Sequence, residues 1–204
     1  MFERASNQAL LQKVSPYCML MECDGRWISA VVIAESFAVS ALHCVPESFR
    51  RNGTPMVLYD EQGEQHNMHV HGASMISDYI VLKKDNGVFN SVPELTFPQL
   101  IDKYIVMGCA FGEKTISVRV GHISSVSNGY RGFFYGGSRG LPGFSGGGVF
   151  SKQNGFLMGI AKGSDYDGQE TRQFGDVLEM ISAPVILGQI EAFGRQPFFV
   201  NPPV

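Results

Sequence analysis

Leu141-Pro142-Gly143-Phe144-Ser145-Gly146-Gly147-Gly148-Val149-Phe150 holds a serine in a glycine-rich turn directly before an apolar strand. Gly143 can take backbone angles that a Cβ forbids. The turn can then aim two amides, those of Gly143 and Ser145, at one point beside the hydroxyl, which makes an anion hole. A glycine-rich hairpin without chemistry is the competing reading. Gly-x-Ser-Gly-Gly before a strand is more specific than a lone Gly-x-Ser-x-Gly, which sits between a strand and a helix.

Two upstream segments supply what such a serine needs. Phe37-Ala38-Val39-Ser40-Ala41-Leu42-His43-Cys44-Val45 is an apolar strand that runs into small residues and then presents a histidine. Ser77-Asp78-Tyr79-Ile80-Val81-Leu82 opens an apolar strand with a carboxylate, a costly group to bury unless it is paired. Each has an ordinary alternative: a turn or core histidine, and a strand cap facing solvent. Together, in the order His43, Asp78, Ser145, they offer a base, an orienting acid and a nucleophile.

Around these segments the chain reads as strands and turns. Short extended segments occur at 17–22, 27–34, 37–40, 56–59, 68–70, 79–83, 103–107, 115–120, 123–127, 132–135, 148–150 and 156–161. Asp24-Gly25, Asn52-Gly53, Gln62-Gly63, Asn86-Gly87, Asn128-Gly129, Asn154-Gly155 and Asp167-Gly168 separate many of them as turn signals. So many strands with little helix between them predict an all-β barrel or sandwich and not alternating strands and helices. Val92-Pro93-Glu94-Leu95-Thr96-Phe97-Pro98 reads as a linker dividing the β-rich region into halves. Phe2, Ala5, Ala9, Leu10 and Val14 recur at helical spacing before Pro16, and Val177, Leu178, Ile181 and Val185 predict a second helix within 174–189.

Composition narrows the function classes. The chain has 204 residues, 44% of them apolar and 17% charged, enough for a sizeable core. A net charge of −3 gives it no broad electrostatic claim on nucleic acid or anionic lipid, and no apolar run is long enough to span a membrane. The start of the sequence lacks the basic-then-apolar layout of a secretory signal, which leads to the expectation of a cytoplasmic protein. Cys18, Cys23, Cys44 and Cys109 show no disulfide-framework spacing; Cys18-x4-Cys23 is a weak zinc pattern set against buried free thiols.

The three segments resemble the chymotrypsin-like (trypsin-fold) serine peptidases. Ser40-Ala41-Leu42-His43-Cys44 is similar to that family's motif around its catalytic histidine. Asp78-Tyr79-Ile80-Val81-Leu82 is similar to the one around its aspartate, and Gly143-Phe144-Ser145-Gly146-Gly147 to the one around its nucleophile. Short intervals between the motifs, and Tyr104-Ile105-Val106-Met107-Gly108-Cys109 followed by Ser117-Val118-Arg119-Val120-Gly121-His122, are closer to compact members of the HtrA (Deg) and viral types.

The resemblance implies two six-stranded antiparallel β-barrels flanked by a short N-terminal and a C-terminal helix. The expected divisions are 1–16 for the first helix, 17–97 for a barrel carrying His43 and Asp78, 98–173 for a barrel carrying Ser145, and 174–204 for the second helix and tail. It implies a serine endopeptidase with no cofactor and no metal, acting on a polypeptide through an acyl-enzyme, with Gly143 and Ser145 as the oxyanion hole. A virus- or defence-encoded enzyme with one dedicated target is a narrower version. A protease-like module that binds peptides without turnover remains the alternative.

Further expectations follow from the resemblance. Leu157-Met158-Gly159-Ile160-Ala161 lines the primary specificity pocket, with Lys162 and Gly163 following it, and Arg139 falls where the base of that pocket is placed. A cation at Arg139 or Lys162 would favour Asp or Glu before the scissile bond; Arg139 pointing to water is the alternative. Phe144 stands where secreted members carry an Asp that pairs with a newly cleaved N-terminus, and no half-cystine stands upstream to pair with Cys44. Both departures imply an intracellular enzyme that is active without processing or is controlled in another way. His43 is expected to titrate near about 6.5 or somewhat higher beside Asp78. His66, His69 and His71 form a histidine-rich strand or loop in which a metal is the less favoured reading, and His122 is not placed to read substrate.

Overall fold

The computed structural model describes residues 2–126, 132–138, 142–163, 177–194 and 196–201. It comprises helix α1 (Phe2–Val14) and strands β1 (Cys18–Cys23), β2 (Arg26–Ala34), β3 (Phe37–Ala41), β4 (Pro55–Tyr59), β5 (Gln65–Ser74) and β6 (Tyr79–Lys84). Strands β7 (Lys103–Cys109), β8 (Ile116–Val126), β9 (Phe133–Gly136), β10 (Gly148–Ser151), β11 (Leu157–Gly163) and β12 (Leu178–Ser182) follow, then helix α2 (Ala183–Ala192) and strand β13 (Phe198–Val200).

The strands close into two six-stranded antiparallel barrels with one shared plan. The first runs β1-β2-β3-β6-β5-β4 and the second β7-β8-β9-β12-β11-β10, so the same order of strands occurs twice. Period-two alternation assigns the cores. Met21, Val32, Leu58, Met68, Ile80 and Leu82 fill the first barrel. Tyr104, Val106, Phe134, Val149, Met158 and Met180 fill the second. The alternate residues Val31, Val39, Val81, Ile105, Ile160 and Ile181 join Ile186 and Ile190 of α2 in a third cluster shared by both barrels. Two-sided burial explains why β2 reads as an almost unbroken apolar run. The Asp24-Gly25 turn has positive φ at both residues, 50° and 72°, as a two-residue hairpin between paired Cys23 and Arg26 requires.

Three elements differ from the sequence reading. The expected strands at 115–120 and 123–127 are, within the described residues, one strand, β8 (Ile116–Val126), whose pairing with β9 shifts register between Ile123 and Ser125. Among the described residues of 174–189 the helix begins at Ala183; Leu178–Ser182 is the strand that closes the second barrel, which thus extends beyond residue 173. Every residue of β12 is buried, so alternation is absent and its spacing fits a helix equally well. Pro184, in the first turn, starts α2 where its missing N–H is harmless. The tail supplies a further strand, β13, parallel to β5. The proposed linker is anchored, with the Thr96 amide on the Leu157 carbonyl and the Leu157 amide on the Glu94 carbonyl.

Candidate active site

β3 ends at Ala41 and turns helically through Leu42–Cys44, which swings His43 out of the first barrel. β6 pairs with β3 and starts at Tyr79, so Asp78 lies beside that turn. The Leu42 amide donates to the Asp78 carbonyl at 3.1 Å. The His43 amide donates to Asp78 Oδ1 at 2.9 Å, and His43 Nδ1 lies 2.6 Å from Asp78 Oδ2. One carboxylate thus fixes both the backbone and the ring of one histidine. The proton belongs on Nδ1, leaving Nε2 to face the cleft. Asp78 takes φ of 57°, an uncommon conformation for a residue with a Cβ.

The Asp78 carboxylate is the main cause that pushes the His43 pKa up, to about 10 from its ordinary 6.5. The Cys44 sulfur acts in the same direction and burial opposes both. A carboxylate 2.6 Å from Nδ1 favours the imidazolium, the upward direction expected for a histidine beside Asp78.

Ser145 comes from the turn before β10. Its carbonyl lies 3.9 Å from Cys44 Sγ, which places it beside the histidine turn. Its hydroxyl donates to the Lys162 carbonyl at 2.9 Å. A hydroxyl has one proton to donate, so in this state it makes no donation to His43. The amides of Gly143 and Ser145 meet no acceptor among the described residues. The Pro142 carbonyl accepts from the Phe111 amide at 2.6 Å, and across a planar trans peptide the Gly143 N–H must point the opposite way. Gly143 has φ of 95°, and a Cβ there would lie 2.1 Å from the Cys109 carbonyl oxygen. Only glycine fits.

The sequence reading missed the residues that brace this turn. Ser29 Oγ donates to the Gly143 carbonyl at 2.8 Å and accepts from the Cys109 amide at 2.8 Å. Ser40 Oγ donates to the Ser29 carbonyl at 2.7 Å. Both serines are buried in strands of the first barrel, so the first barrel holds the Ser145 turn of the second. The available signal was a serine inside two otherwise apolar strands, since a buried hydroxyl needs a partner.

A cleft of about 750 Å³ opens beside these groups, lined by His43, Cys44, Gly143, Trp27, Phe111 and Asp24 among others. Ala161, Lys162 and Gly163 continue β11 along Ser145, and Ala161 is buried in the second barrel. The Lys162 ammonium lies 2.8 Å from Glu179 Oε2 and 4.9 Å above the Phe133 ring. That pairing removes it as a free cation for a substrate carboxylate. Arg139 lies outside the described residues.

The remaining candidates do not converge. His66 faces Asp60, His69 Nδ1 lies 2.6 Å from Asp85, and His71 is buried against Phe37 and Phe198. His122 lies on β8 opposite Lys103 of β7. Among the described residues no three His, Cys, Asp or Glu side chains gather as metal ligands. All four cysteines are free. Cys18 and Cys23 sit in different clusters, and burial raises both thiol pKa values.

Neither a protein-family model nor a curated protein sequence matches the chain. Solved structures do. A serine endoprotease from Yersinia pestis superposes with a TM-score of 0.72 at 18% identity, over 93% of this chain and 66% of that one. Rv3671c from M. tuberculosis H37Rv, an inactive serine-to-alanine form, gives 0.69 at 15% identity, over 98% and 95%. The HtrA-type protease AlgW with a tripeptide gives 0.71 at 18% identity, over 90% and 62%. The chain thus spans just under two thirds of the Yersinia and AlgW chains and nearly all of Rv3671c. Its fold is the two-barrel, chymotrypsin-like fold of HtrA-type serine proteases.

Proposed function

We propose that the protein is a serine endopeptidase that cleaves polypeptides through His43, Asp78 and Ser145. The observation that carries this reading is the His43–Asp78 contact at 2.6 Å beside a serine turn with two acceptor-free amides. Asp78 holds the Nδ1–H tautomer. His43, once neutral, takes the Ser145 proton on Nε2 as Oγ attacks the peptide carbonyl, then passes it to the leaving amine. The amides of Gly143 and Ser145 receive the negative oxygen, each contributing about 3–4 kcal/mol to the transition state. An acyl-enzyme on Ser145 remains, and water, activated by His43, releases it.

The resting contacts support a poised state. The Ser145 hydroxyl rests on the Lys162 carbonyl and must turn toward His43 to react. Phe144 is 1% exposed in the second barrel, so packing, not an ion pair with a cleaved N-terminus, holds this turn. That supports activity without zymogen cleavage. Four free thiols fit a reducing compartment such as the cytoplasm.

The parked Ser145 hydroxyl is also what a peptide-binding module without turnover would show. Incubation with a diverse peptide library decides. Cleavage that disappears in Ser145→Ala supports the peptidase; peptide binding with no cleavage from pH 6 to 10 supports the silent module.

A further inference from the structure

β4 pairs only with residues 65–69 of the longer β5, which leaves the far edge of β5 open at the end nearest Asp78. β13 covers that edge in parallel, with Phe198 opposite Gly72, Phe199 opposite Ala73 and Val200 opposite Ser74. The approach is built for: a Cβ on Gly72 would lie 2.6 Å from the Phe198 carbonyl oxygen. Phe198 is 4% exposed, belongs to the core shared by the barrels, and stacks on Phe193 at 4.8 Å just past α2.

The strand does more than cover an edge. The Met75 amide donates to the Val200 carbonyl at 2.9 Å, at the start of the turn that presents Asp78. Within that turn the Ser77 amide donates to Ser74 Oγ at 3.2 Å. At the other end the Tyr79 hydroxyl donates to Gln189 of α2. Both ends of the turn are therefore tied to chain that follows the last strand of the second barrel. Asp78 itself is held at φ of 57°, a conformation that lasts only where surroundings over-determine it.

We propose that the segment from α2 to β13 is a strap that positions Asp78 against His43, with Phe198 and Val200 as positioning residues. The proposal rests on the peptidase reading of His43, Asp78 and Ser145. It makes the acid of the first barrel depend on chain delivered by the second. Releasing the strap frees the Met75 amide and reopens the β5 edge, and the turn gains room to withdraw its carboxylate.

The test compares the full chain with a chain ending at Gln196 and with Phe198→Ala. It follows labelling by a fluorophosphonate across pH and the NMR titration of the His43 ring. The strap predicts cooperative unfolding in both variants and a limiting labelling rate lower by about 10²-fold, the scale of a roughly 1 Å misplacement. It also predicts a His43 midpoint moved from about 10 toward 6.5. Cooperatively folded variants that keep both the rate and the midpoint overturn it. If the shortened chains do not fold, amide exchange in the full chain decides. The strap predicts that the Met75 and His43 amides open together with those of 198–200; strap amides that exchange freely while Met75 and His43 stay as protected as the barrel core overturn it. A full chain that is never labelled contradicts the peptidase reading alone, and the His43 midpoint and the exchange still judge the strap.

Discussion

The Ser145 hydroxyl rests 2.9 Å from the Lys162 carbonyl oxygen, a main-chain group at the bulged end of β11. The hydroxyl proposed as nucleophile is thereby held on the strand that runs along the site. A hydroxyl has one proton to donate, and here it goes to that carbonyl.

The state of His43 sets opposite pH trends for activity and stability. Its pKa is raised in the fold from 6.5 to about 10, so its contact with Asp78 stabilises the fold fully below pH 6.5 and loses that contribution as pH rises toward 10. Activity needs the neutral ring and rises across the same window. Asp78→Asn should move the rising limb down toward about 6.5 and lower the limiting rate by about 10⁴-fold. A pH–rate profile of both proteins checks this; an unmoved limb would show that Asp78 does not hold His43.

Gly143→Ala places a methyl 2.1 Å from the Cys109 carbonyl oxygen at a φ of 95°. The turn must shift and carry the Gly143 amide with it. A fall in kcat of about 10²–10³-fold with little change in KM is expected, the loss of one oxyanion donor. Steady-state kinetics on a peptide found in the library decide, and a change confined to KM would place Gly143 outside the hole.

Ser29→Ala strands the Cys109 amide and removes the stronger donor to the Gly143 carbonyl, both of which Ser29 Oγ bonds at 2.8 Å, leaving that carbonyl only the Cys109 thiol at 3.5 Å. Thermal or urea unfolding should show a loss of about 1–3 kcal/mol. The same protein should be labelled more slowly at Ser145, because the brace lies directly behind the turn. Ser29→Ala with full stability would mean the serine is not a brace.

His71 is 2% exposed with Nε2 unpartnered among the described residues, packed between Phe37 and Phe198. Burial lowers its pKa first, with Lys83 and His69 adding to the shift. A lowered folded value means the neutral ring's contribution is intact above pH 6.5 and is lost as pH falls through the folded value. Urea midpoints measured from pH 7 to 4 should fall more in the native chain than in His71→Phe; parallel curves would contradict the assignment.

Local sequence carried His43, Asp78, Ser145 and Gly143, because each sits in a short segment whose pattern of small, apolar and turn residues is itself the signal. The hairpin at Asp24-Gly25 was legible for the same reason. β12 was not: buried on both faces, Leu178–Ser182 has no alternation to separate it from a helix. β13 is three residues long and exists only because β4 is shorter than β5. Ser29, Ser40 and the Lys162–Glu179 pair depend on which strands meet, and the pKa of His43 depends on a distance. Such relations are fixed by tertiary structure and leave little trace in a single segment.

Mass spectrometry of the protein after reaction with a fluorophosphonate at pH 7 and pH 9.5 tests Ser145 and His43 together. One adduct is expected, on Ser145, formed faster at pH 9.5 as His43 loses its proton, and abolished in both Ser145→Ala and His43→Ala. A folded wild-type protein that takes no adduct at either pH, or one whose adduct persists in Ser145→Ala, would contradict it.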